Sequence, residues 1–288
     1  MPSYSPEDLR QLLRCPDDSG ELSLLGSLAR CASCGREYAL RAPNSLELMP
    51  SKPWQRPESS DLLVRASRDF YDRHFHERWE DKEGDLPWGH PDNLPPRLRR
   101  HYDFMARLVG ASAPAKGGSF LDISAGNGTL SLPLASRFER TVLADFMVAS
   151  AAWLGRQGKT LVLRTDYMQS PYAPEAFDFV LCTDTLIYGR DHEERLLQAL
   201  WAALKPGGKA LLSFHHRRHH NPLTAPIVVG YSRGEMLGLL NALSPLPSLK
   251  IIPYYQEFEG NLEGGSLWER ALGKIFPDTR FFVEAQKP

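Results

Sequence analysis

The stretch SFLDISAGNGTLSL, residues 119–132, has the pattern of a strand, a glycine-containing loop and the first turn of a helix. The strand ends at Asp122, and in the loop Gly126 and Gly128 lack the Cβ that would hold a ligand away from the backbone. A dinucleotide-binding loop would carry a third glycine where Ser131 stands. A carboxylate before the glycines also disfavours a pyrophosphate, which binds amide donors at the positive end of a helix. The stretch therefore predicts a loop for a cationic cofactor without phosphate.

Short β-rich runs separated by longer amphipathic segments continue from this loop to residue 288. Such alternation of strand and helix is typical of a doubly wound, mostly parallel sheet. We therefore predict an α/β domain over residues 116–288 with seven strands: SFLDI, TVLAD, TLVLR, FDFVLCT, KALLSF, LKIIPYY and TRFFVEA. In such sheets ligands lie beyond the carboxyl ends of the strands, so residues that follow strands are the candidate site residues.

The loop resembles the first motif of class I S-adenosylmethionine-dependent methyltransferases, an acidic residue followed by alternating glycines, with Ser124 in place of the first glycine. Three later segments resemble further landmarks of that family in the same order: FDFVLCTDTLIYG, LKPGGKALLSF and TRFFVEAQKP. The resemblance implies a Rossmann-like sheet of seven strands whose last strand is antiparallel. It also implies an enzyme with S-adenosyl-L-methionine as methyl donor and S-adenosyl-L-homocysteine as product.

The resemblance further implies roles for residues near the loop. Asp145 follows the second strand, where a carboxylate can accept both ribose hydroxyls, and the adjacent Phe146 would cover the adenine. Asp166 would accept a hydrogen bond from the adenine amino group. Tyr71 lies in FYDRHF, which resembles the helix that many small-molecule methyltransferases fold over the cofactor; a cation–π contact and simple helix packing are both open for it. The predicted cofactor-binding residues are Tyr71, Asp122, Ser124, Ala125, Gly126, Gly128, Asp145, Phe146, Asp166, Tyr167 and Thr183.

Candidate residues for the chemistry follow the fourth and fifth strands. The first group contains Asp184 and Tyr188, and the second is the run SFHHRRHHNP, which begins with His215 and His216. The run could supply a general base, an arginine clamp for an anionic substrate, a metal site or merely a solvated loop. We predict catalytic roles for His215, His216, Asp184 and Tyr188, with His215 as the preferred base, because imidazole titrates near neutral pH.

Three cysteines near the start of the chain have the spacing C-x15-C-x2-C. Cys15, Cys31 and Cys34 suggest metal rather than a disulfide, and Asp18 stands where a fourth ligand is expected. The segment resembles the small zinc-ribbon-like proteins that activate methyltransferases, a family also found fused to them. A bound zinc ion and a metal-free ribbon held by its own core both remain open.

The composition limits the classes of molecule that the protein is expected to bind. The chain has 288 residues, 34 Lys+Arg against 35 Asp+Glu and a net charge of −1, so it lacks the basic footprint of a nucleic-acid-binding protein. We predict a zinc-ribbon-like unit over residues 1–52, a linker and helical lid over 53–115, and no membrane span or signal peptide, hence a cytoplasmic location. We predict methylation of an O or N nucleophile on a small molecule, with secondary metabolism suggested by the family resemblance. The alternatives are an RNA or protein substrate presented by the ribbon, and a cofactor-binding scaffold that activates a partner.

Overall fold

A computed structural model describes residues 5–41, 45–52, 96–157, 160–186, 192–216, 230–254 and 280–288. The helices in these ranges are α1 (Pro6–Leu12), α2 (Pro96–Ser112), α3 (Leu132–Ala135), α4 (Val148–Arg156), α5 (Glu193–Ala203) and α6 (Arg233–Asn241), with a 3-10 turn at Tyr167–Gln169. The strands are β1 (Leu22–Leu25), β2 (Leu28–Cys31), β3 (Glu37–Arg41), β4 (Ser45–Glu47), β5 (Ser119–Asp122), β6 (Arg140–Asp145), β7 (Leu161–Arg164), β8 (Phe177–Cys182), β9 (Leu204–His215), β10 (Ser248–Tyr254) and β11 (Arg280–Gln286).

Seven of the strands form the predicted α/β sheet. Their order is β7-β6-β5-β8-β9-β11-β10, with parallel pairing from β7 to β9 and antiparallel pairing of β11 with both β9 and β10. All four residues of β5 are buried, because helices cover both faces of a parallel sheet. The prediction of a Rossmann-like, mostly parallel seven-stranded sheet with an antiparallel last strand is confirmed.

Helices pack on both faces of this sheet. On one face α5 buries Leu196, Leu200 and Trp201 in the larger hydrophobic cluster. On the other face α2 buries Met105 and Val109 together with strand residues of the smaller cluster. The segment LRRHYDFMARLV is therefore helical, as its periodicity predicts.

The N-terminal strands continue the same sheet. Strands β1, β2 and β3 form an antiparallel meander, β3 pairs with β4, and β4 pairs in parallel with β7. Leu9, Leu12 and Leu22 belong to the same buried cluster as Leu121 of β5. The N-terminal residues therefore share their hydrophobic core with the α/β domain.

Polar contacts reinforce the junction between β4 and β7. The amide of Leu48 donates to the Arg164 carbonyl at 2.9 Å, and the Thr165 hydroxyl donates to the Leu48 carbonyl at 3.0 Å. Glu47 forms an ion pair with Arg164, whose Nε donates to the Phe146 carbonyl at 3.4 Å. Within the described ranges, no helix has the length and apolar character needed to cross a membrane.

Candidate active site

Four acidic side chains and one histidine lie at the carboxyl edge of the parallel strands. Asp122 and Asp145 end β5 and β6, Asp166 and Asp184 each stand two residues beyond the end of β7 and β8, and His215 ends β9. This edge is where doubly wound sheets bind their ligands. Most of the residues predicted from the sequence therefore lie along one edge of the sheet, whereas Tyr71 and Tyr188 lie outside the described residues.

The glycine loop leaves room on one side and packs tightly on the other. Gly126 and Gly128 have φ values of 55° and 78°, a region that favours glycine. A Cβ at Gly128 would lie 2.6 Å from Cγ of Leu132, whereas a Cβ at Gly126 would meet nothing within 4 Å. Gly128 thus serves close packing, and Gly126 borders open space of the kind that a ligand could occupy.

Ser124 fixes the loop to the neighbouring strand end. Its hydroxyl donates to the Thr183 carbonyl at 3.0 Å and also bonds the Thr185 hydroxyl. Its amide donates to Oδ1 of Asp122 at 3.2 Å. The serine in place of the motif's glycine therefore connects the loop after β5 with the segment after β8.

Asp145 is a buried carboxylate held by two backbone amides. Its Oδ2 accepts from the Gly126 amide at 2.8 Å and its Oδ1 from the Met147 amide at 2.8 Å. Burial raises the pKa of Asp145, and these hydrogen bonds oppose the rise. Each carboxylate oxygen keeps a further lone pair, so the group can still accept hydrogen bonds from a pair of hydroxyls.

Asp122 is 2% exposed and lies beside the loop. Burial raises the pKa of Asp122 to about 7. The hydrogen bond from the Ser124 amide lowers this pKa, but by less than burial raises it. A buried carboxyl group without a cation is costly in its charged form. The site would therefore gain from a cationic group on a ligand.

The loop after β7 adds a third buried carboxylate. Asp166 is 3% exposed, and its Oδ1 accepts from the Met168 amide at 3.0 Å, which caps the 3-10 turn. Phe146 and Tyr167, which follow β6 and β7, are both partly exposed, as is required of rings that cover a ligand. Ala125 is buried and its amide donates to the Ala144 carbonyl at 3.0 Å, so it fixes the loop to β6.

Asp184, His215 and Arg280 form a charged cluster next to this loop. Oδ1 of Asp184 lies 3.1 Å from Nε2 of His215 and 2.5 Å from a guanidinium nitrogen of Arg280. The backbone amide of Asp184 donates a hydrogen bond to the Ser213 hydroxyl oxygen at 2.9 Å. Burial would raise the pKa of Asp184, but the Arg280 charge and the His215 hydrogen bond hold it well below its usual range. Asp184 is therefore ionised at neutral pH.

Exposure separates the members of this cluster. The Asp184 side chain is 38% exposed, whereas the side chains of His215 and Arg280 are 5% and 9% exposed. The accessible group is thus the carboxylate, with the imidazole and guanidinium behind it. His216 points to a different neighbour, because its ring lies 5.5 Å from the Phe281 ring.

The sequence interpretation omitted Arg280. This residue opens the antiparallel strand β11 and pairs in register with His215 at the end of β9. Because β11 runs against its neighbours, its first residue lies at the carboxyl edge of the others, which is the one sequence signal that points to Arg280. Arg217, Arg218, His219 and His220 of the histidine-rich run lie outside the described residues.

The three N-terminal cysteines and Asp18 converge on one point. Their ligand atoms all lie within 4.8 Å of one another, and the Sγ atoms of Cys15 and Cys34 are 3.8 Å apart. Two thiolates at Zn–S distances of about 2.3 Å in a tetrahedron are about 3.8 Å apart. The amides of Ser33 and Cys34 also point at Sγ of Cys31, at 3.4 and 3.5 Å. The donor set therefore fits a zinc ion.

A comparison with known families finds a match over the part of the chain that contains the parallel strands. The family described as a methyltransferase domain matches residues 121–212, from the end of β5 to within β9. The match covers less than half of the chain. Together with the class I fold, it supports an S-adenosylmethionine-dependent methyltransferase. The comparison with curated proteins found no match to the chain.

Solved structures with the same fold share little sequence with this chain. The N-methyltransferase NodS from Bradyrhizobium japonicum, in complex with S-adenosyl-L-homocysteine, is 17% identical with a TM-score of 0.51, over 81% of this chain and 100% of that one. Magnesium protoporphyrin IX methyltransferase from Synechocystis, with the same bound product, is 15% identical with a TM-score of 0.53, over 80% and 100%.

Phosphoethanolamine N-methyltransferase 2 from Haemonchus contortus is a further structural neighbour. It was solved with phosphomonomethylethanolamine and S-adenosylhomocysteine, and is 19% identical with a TM-score of 0.50 over 65% of this chain. The match spans 52% of the length of that protein. These likenesses support the fold of the methyltransferase domain.

Proposed function

We propose that this enzyme transfers the methyl group of S-adenosylmethionine to a nitrogen or oxygen nucleophile of a small molecule, and that the acceptor meets the donor beside Asp184. The donor supplies a methyl group on a positively charged sulfur. The chain holds this donor with the glycine loop, Asp122, Asp145 and Asp166. The acceptor binds beside this donor, at the cluster of Asp184, His215 and Arg280. An origin of the acceptor in secondary metabolism stays a prediction from the family resemblance.

The observation that supports a small-molecule acceptor is the Asp184 carboxylate, which pairs with Arg280 and His215 beside the glycine loop. It is connected to that loop through the Thr183 carbonyl, which accepts from Ser124 at 3.0 Å. A nucleic-acid substrate would bring phosphates close to this negative charge, on a chain of net charge −1. Repulsion between like charges disfavours that substrate.

The proposed acceptor class can be tested with methyl-labelled S-adenosylmethionine. The purified protein is incubated with cell extract separated into small-molecule, RNA and protein fractions, and the label in each fraction is measured. We expect label in the small-molecule fraction. Label in RNA or protein would favour substrate presentation by the N-terminal strands. Cofactor binding without labelled product, relieved by adding a partner protein, would favour the scaffold function.

Asp145→Ala tests the ribose-binding role of Asp145. The variant should lose about 1–3 kcal/mol of cofactor binding free energy, because charged hydrogen bonds to the cofactor disappear and the Gly126 amide loses its acceptor. Isothermal titration calorimetry with S-adenosylhomocysteine measures the loss, and thermal denaturation measures the stability lost with the two amide hydrogen bonds and checks that the variant is folded. Undiminished affinity would remove Asp145 from the cofactor site.

The raised pKa of Asp122 predicts a pH-dependent cofactor affinity. In the free enzyme the carboxyl group is protonated below about pH 7, whereas a cationic ligand favours its charged form. Binding therefore releases a proton below pH 7, and affinity should rise as the pH increases towards 7 and then level off. Calorimetry of S-adenosylmethionine binding between pH 5.5 and about 8 in two buffers measures both quantities. Asp122→Asn should abolish this part of the dependence; the same profile in both proteins would contradict the assignment.

We also propose that Cys15, Asp18, Cys31 and Cys34 hold a structural zinc ion in a zinc-ribbon-like unit over residues 1–52. The distance of 3.8 Å between the Cys15 and Cys34 sulfurs is the separation expected of two thiolates that bind one zinc ion. Burial raises the pKa of the Cys15 thiol to about 12, and a bound cation would displace the thiol proton. Elemental analysis of the purified protein should find about one zinc per chain. Its absence after growth in zinc would favour a metal-free ribbon.

A further inference from the structure

We propose that Asp184 binds the methyl acceptor through its Oδ2 oxygen, that the acceptor is an amine, and that Arg280 and His215 are positioning residues behind Asp184. This inference rests on the proposed function, because it assigns roles within the same site. It differs from the sequence hypothesis, in which His215 acts directly as a general base. The three residues come from separate elements, the segment after β8, the end of β9 and the start of β11.

The two carboxylate oxygens of Asp184 have different surroundings. Oδ1 accepts hydrogen bonds from His215 and Arg280 at 3.1 and 2.5 Å, and the Ser213 hydroxyl lies 3.4 Å from the same oxygen. Among the described residues, Oδ2 has no hydrogen-bond partner. Since the side chain is 38% exposed, its unpartnered oxygen is available to a ligand on the open side of the cluster.

The backbone at Asp184 supports a role beyond packing. Its φ is 57°, in the left-handed region that residues other than glycine rarely occupy, although Asp and Asn tolerate it best. The Ser213 hydroxyl holds its amide, and Arg280 and His215 hold its carboxylate. Residues kept in unusual conformations by several contacts cluster at binding and active sites.

The charge arrangement selects the kind of nucleophile. The positive guanidinium of Arg280 is on the buried side, so the group that faces the acceptor is negative. An amine gains positive charge as it attacks, and a fixed carboxylate beside it stabilises that charge. An alkoxide, thiolate or carboxylate nucleophile would instead meet a like charge. An alcohol would need a base, and a carboxylate locked in its ionised form is a weak one.

The transfer step then balances without a base in the protein. The lone pair of the neutral amine forms the new N–C bond while the C–S bond of the donor breaks, and that bonding pair stays on sulfur. The product amine is initially an ammonium ion, which releases its proton to water. Asp184 accepts an N–H hydrogen bond throughout and stays ionised, while Arg280 and His215 keep it in place.

Sinefungin tests this assignment without knowledge of the acceptor, because its amino group takes the place of the transferred methyl group. If Oδ2 of Asp184 faces that position, Asp184→Asn should weaken sinefungin binding about tenfold or more, as expected for a lost charged hydrogen bond. Binding of S-adenosylhomocysteine, which has no group there, should be unchanged. Asparagine tolerates the left-handed backbone, so the substitution removes charge with little strain.

Arg280 and His215 are tested by the same ratio of affinities. Arg280→Met should reduce the preference for sinefungin over S-adenosylhomocysteine several-fold, and Arg280→Lys should restore part of it, because the lysine keeps the charge. His215→Asn should have an effect no larger than that of Asp184→Asn. Glu139→Gln removes an exposed carboxylate before β6 and serves as the control with an unchanged ratio.

The outcomes separate this inference from the proposed function. An unchanged ratio in Asp184→Asn, or equal losses of both ligands, would overturn the assignment of Asp184. The amine is tested with ¹³C-methyl S-adenosylmethionine and NMR of the labelled product: an N-methyl group is expected, and an O-, S- or C-methyl group would overturn it. Label in a macromolecular fraction would contradict the small-molecule acceptor, whereas its attachment atom would still test the amine.

Discussion

Asp184→Asn should lower kcat/KM by a factor of about 10² to 10³, the range found when one preorganised electrostatic contact to a transition state is removed. The effect should fall mainly on kcat, because charge develops on the acceptor nitrogen only during the transfer. S-adenosylhomocysteine affinity should be retained, since Asp122 and Asp145, the proposed cofactor residues, are untouched. Initial rates with the acceptor identified from the labelled small-molecule fraction measure the change.

The double variant Asp184→Asn/His215→Asn distinguishes a positioning role of the His215 imidazole from a role as general base. If His215 acts through Asp184, the loss in the double variant should be close to that of Asp184→Asn alone, because the two changes break one unit. If His215 removes a proton from the acceptor itself, the single His215 variant should lose activity most strongly at high pH, where a neutral imidazole can accept that proton, and its loss should add to that of Asp184→Asn. Glu139→Gln should leave all rates unchanged.

The α/β sheet could be predicted because each of its strands leaves a local signal. The residues of β5 and β8 are almost all buried, so these segments are apolar runs bounded by helices or loops. The order of the landmarks, from the glycine loop to the last strand, then sets the topology. The sequence predicted seven strands in this domain, and all seven are found.

The junction of β4 with β7 could not be predicted from the sequence. Strand β4 has three residues, too few to show a periodicity, and Leu48 bonds Thr165 across 117 positions. The sequence indicates that the N-terminal segment is a compact unit with clustered cysteines. It contains no signal that this unit pairs edge to edge with the larger sheet, because edge pairing depends on main-chain atoms that every residue carries.

The candidate site was only partly accessible to sequence reasoning for a similar reason. Asp184 and His215 could be named because each follows a strand of the parallel part of the sheet. Arg280 interacts with Asp184 across 96 positions, and only the register of β11 against β9 brings it there. The sequence also could not show that the carboxylate is accessible and the imidazole buried, since exposure is set by the packing of several elements at once.

Loss of the proposed zinc ion should cost the protein about 4 kcal/mol of unfolding free energy when free zinc is about a thousand times its dissociation constant. Cys31→Ala is the variant with the largest expected effect, because Cys31 is 1% exposed and its sulfur accepts hydrogen bonds from two backbone amides. We expect the purified variant to contain no zinc, and its denaturation midpoint should not change when a chelator is added. Urea unfolding with and without chelator measures the difference.

Cys182→Ala provides the matched control for this prediction. Cys182 ends β8, is fully buried and lies outside the cysteine cluster, so its loss affects packing alone. That variant should be less stable than the wild type but should keep its zinc and its full response to the chelator. A wild-type protein that unfolds at the same urea concentration with and without chelator would show that the N-terminal strands are held by the core they share with the α/β domain, through Leu9, Leu12 and Leu22.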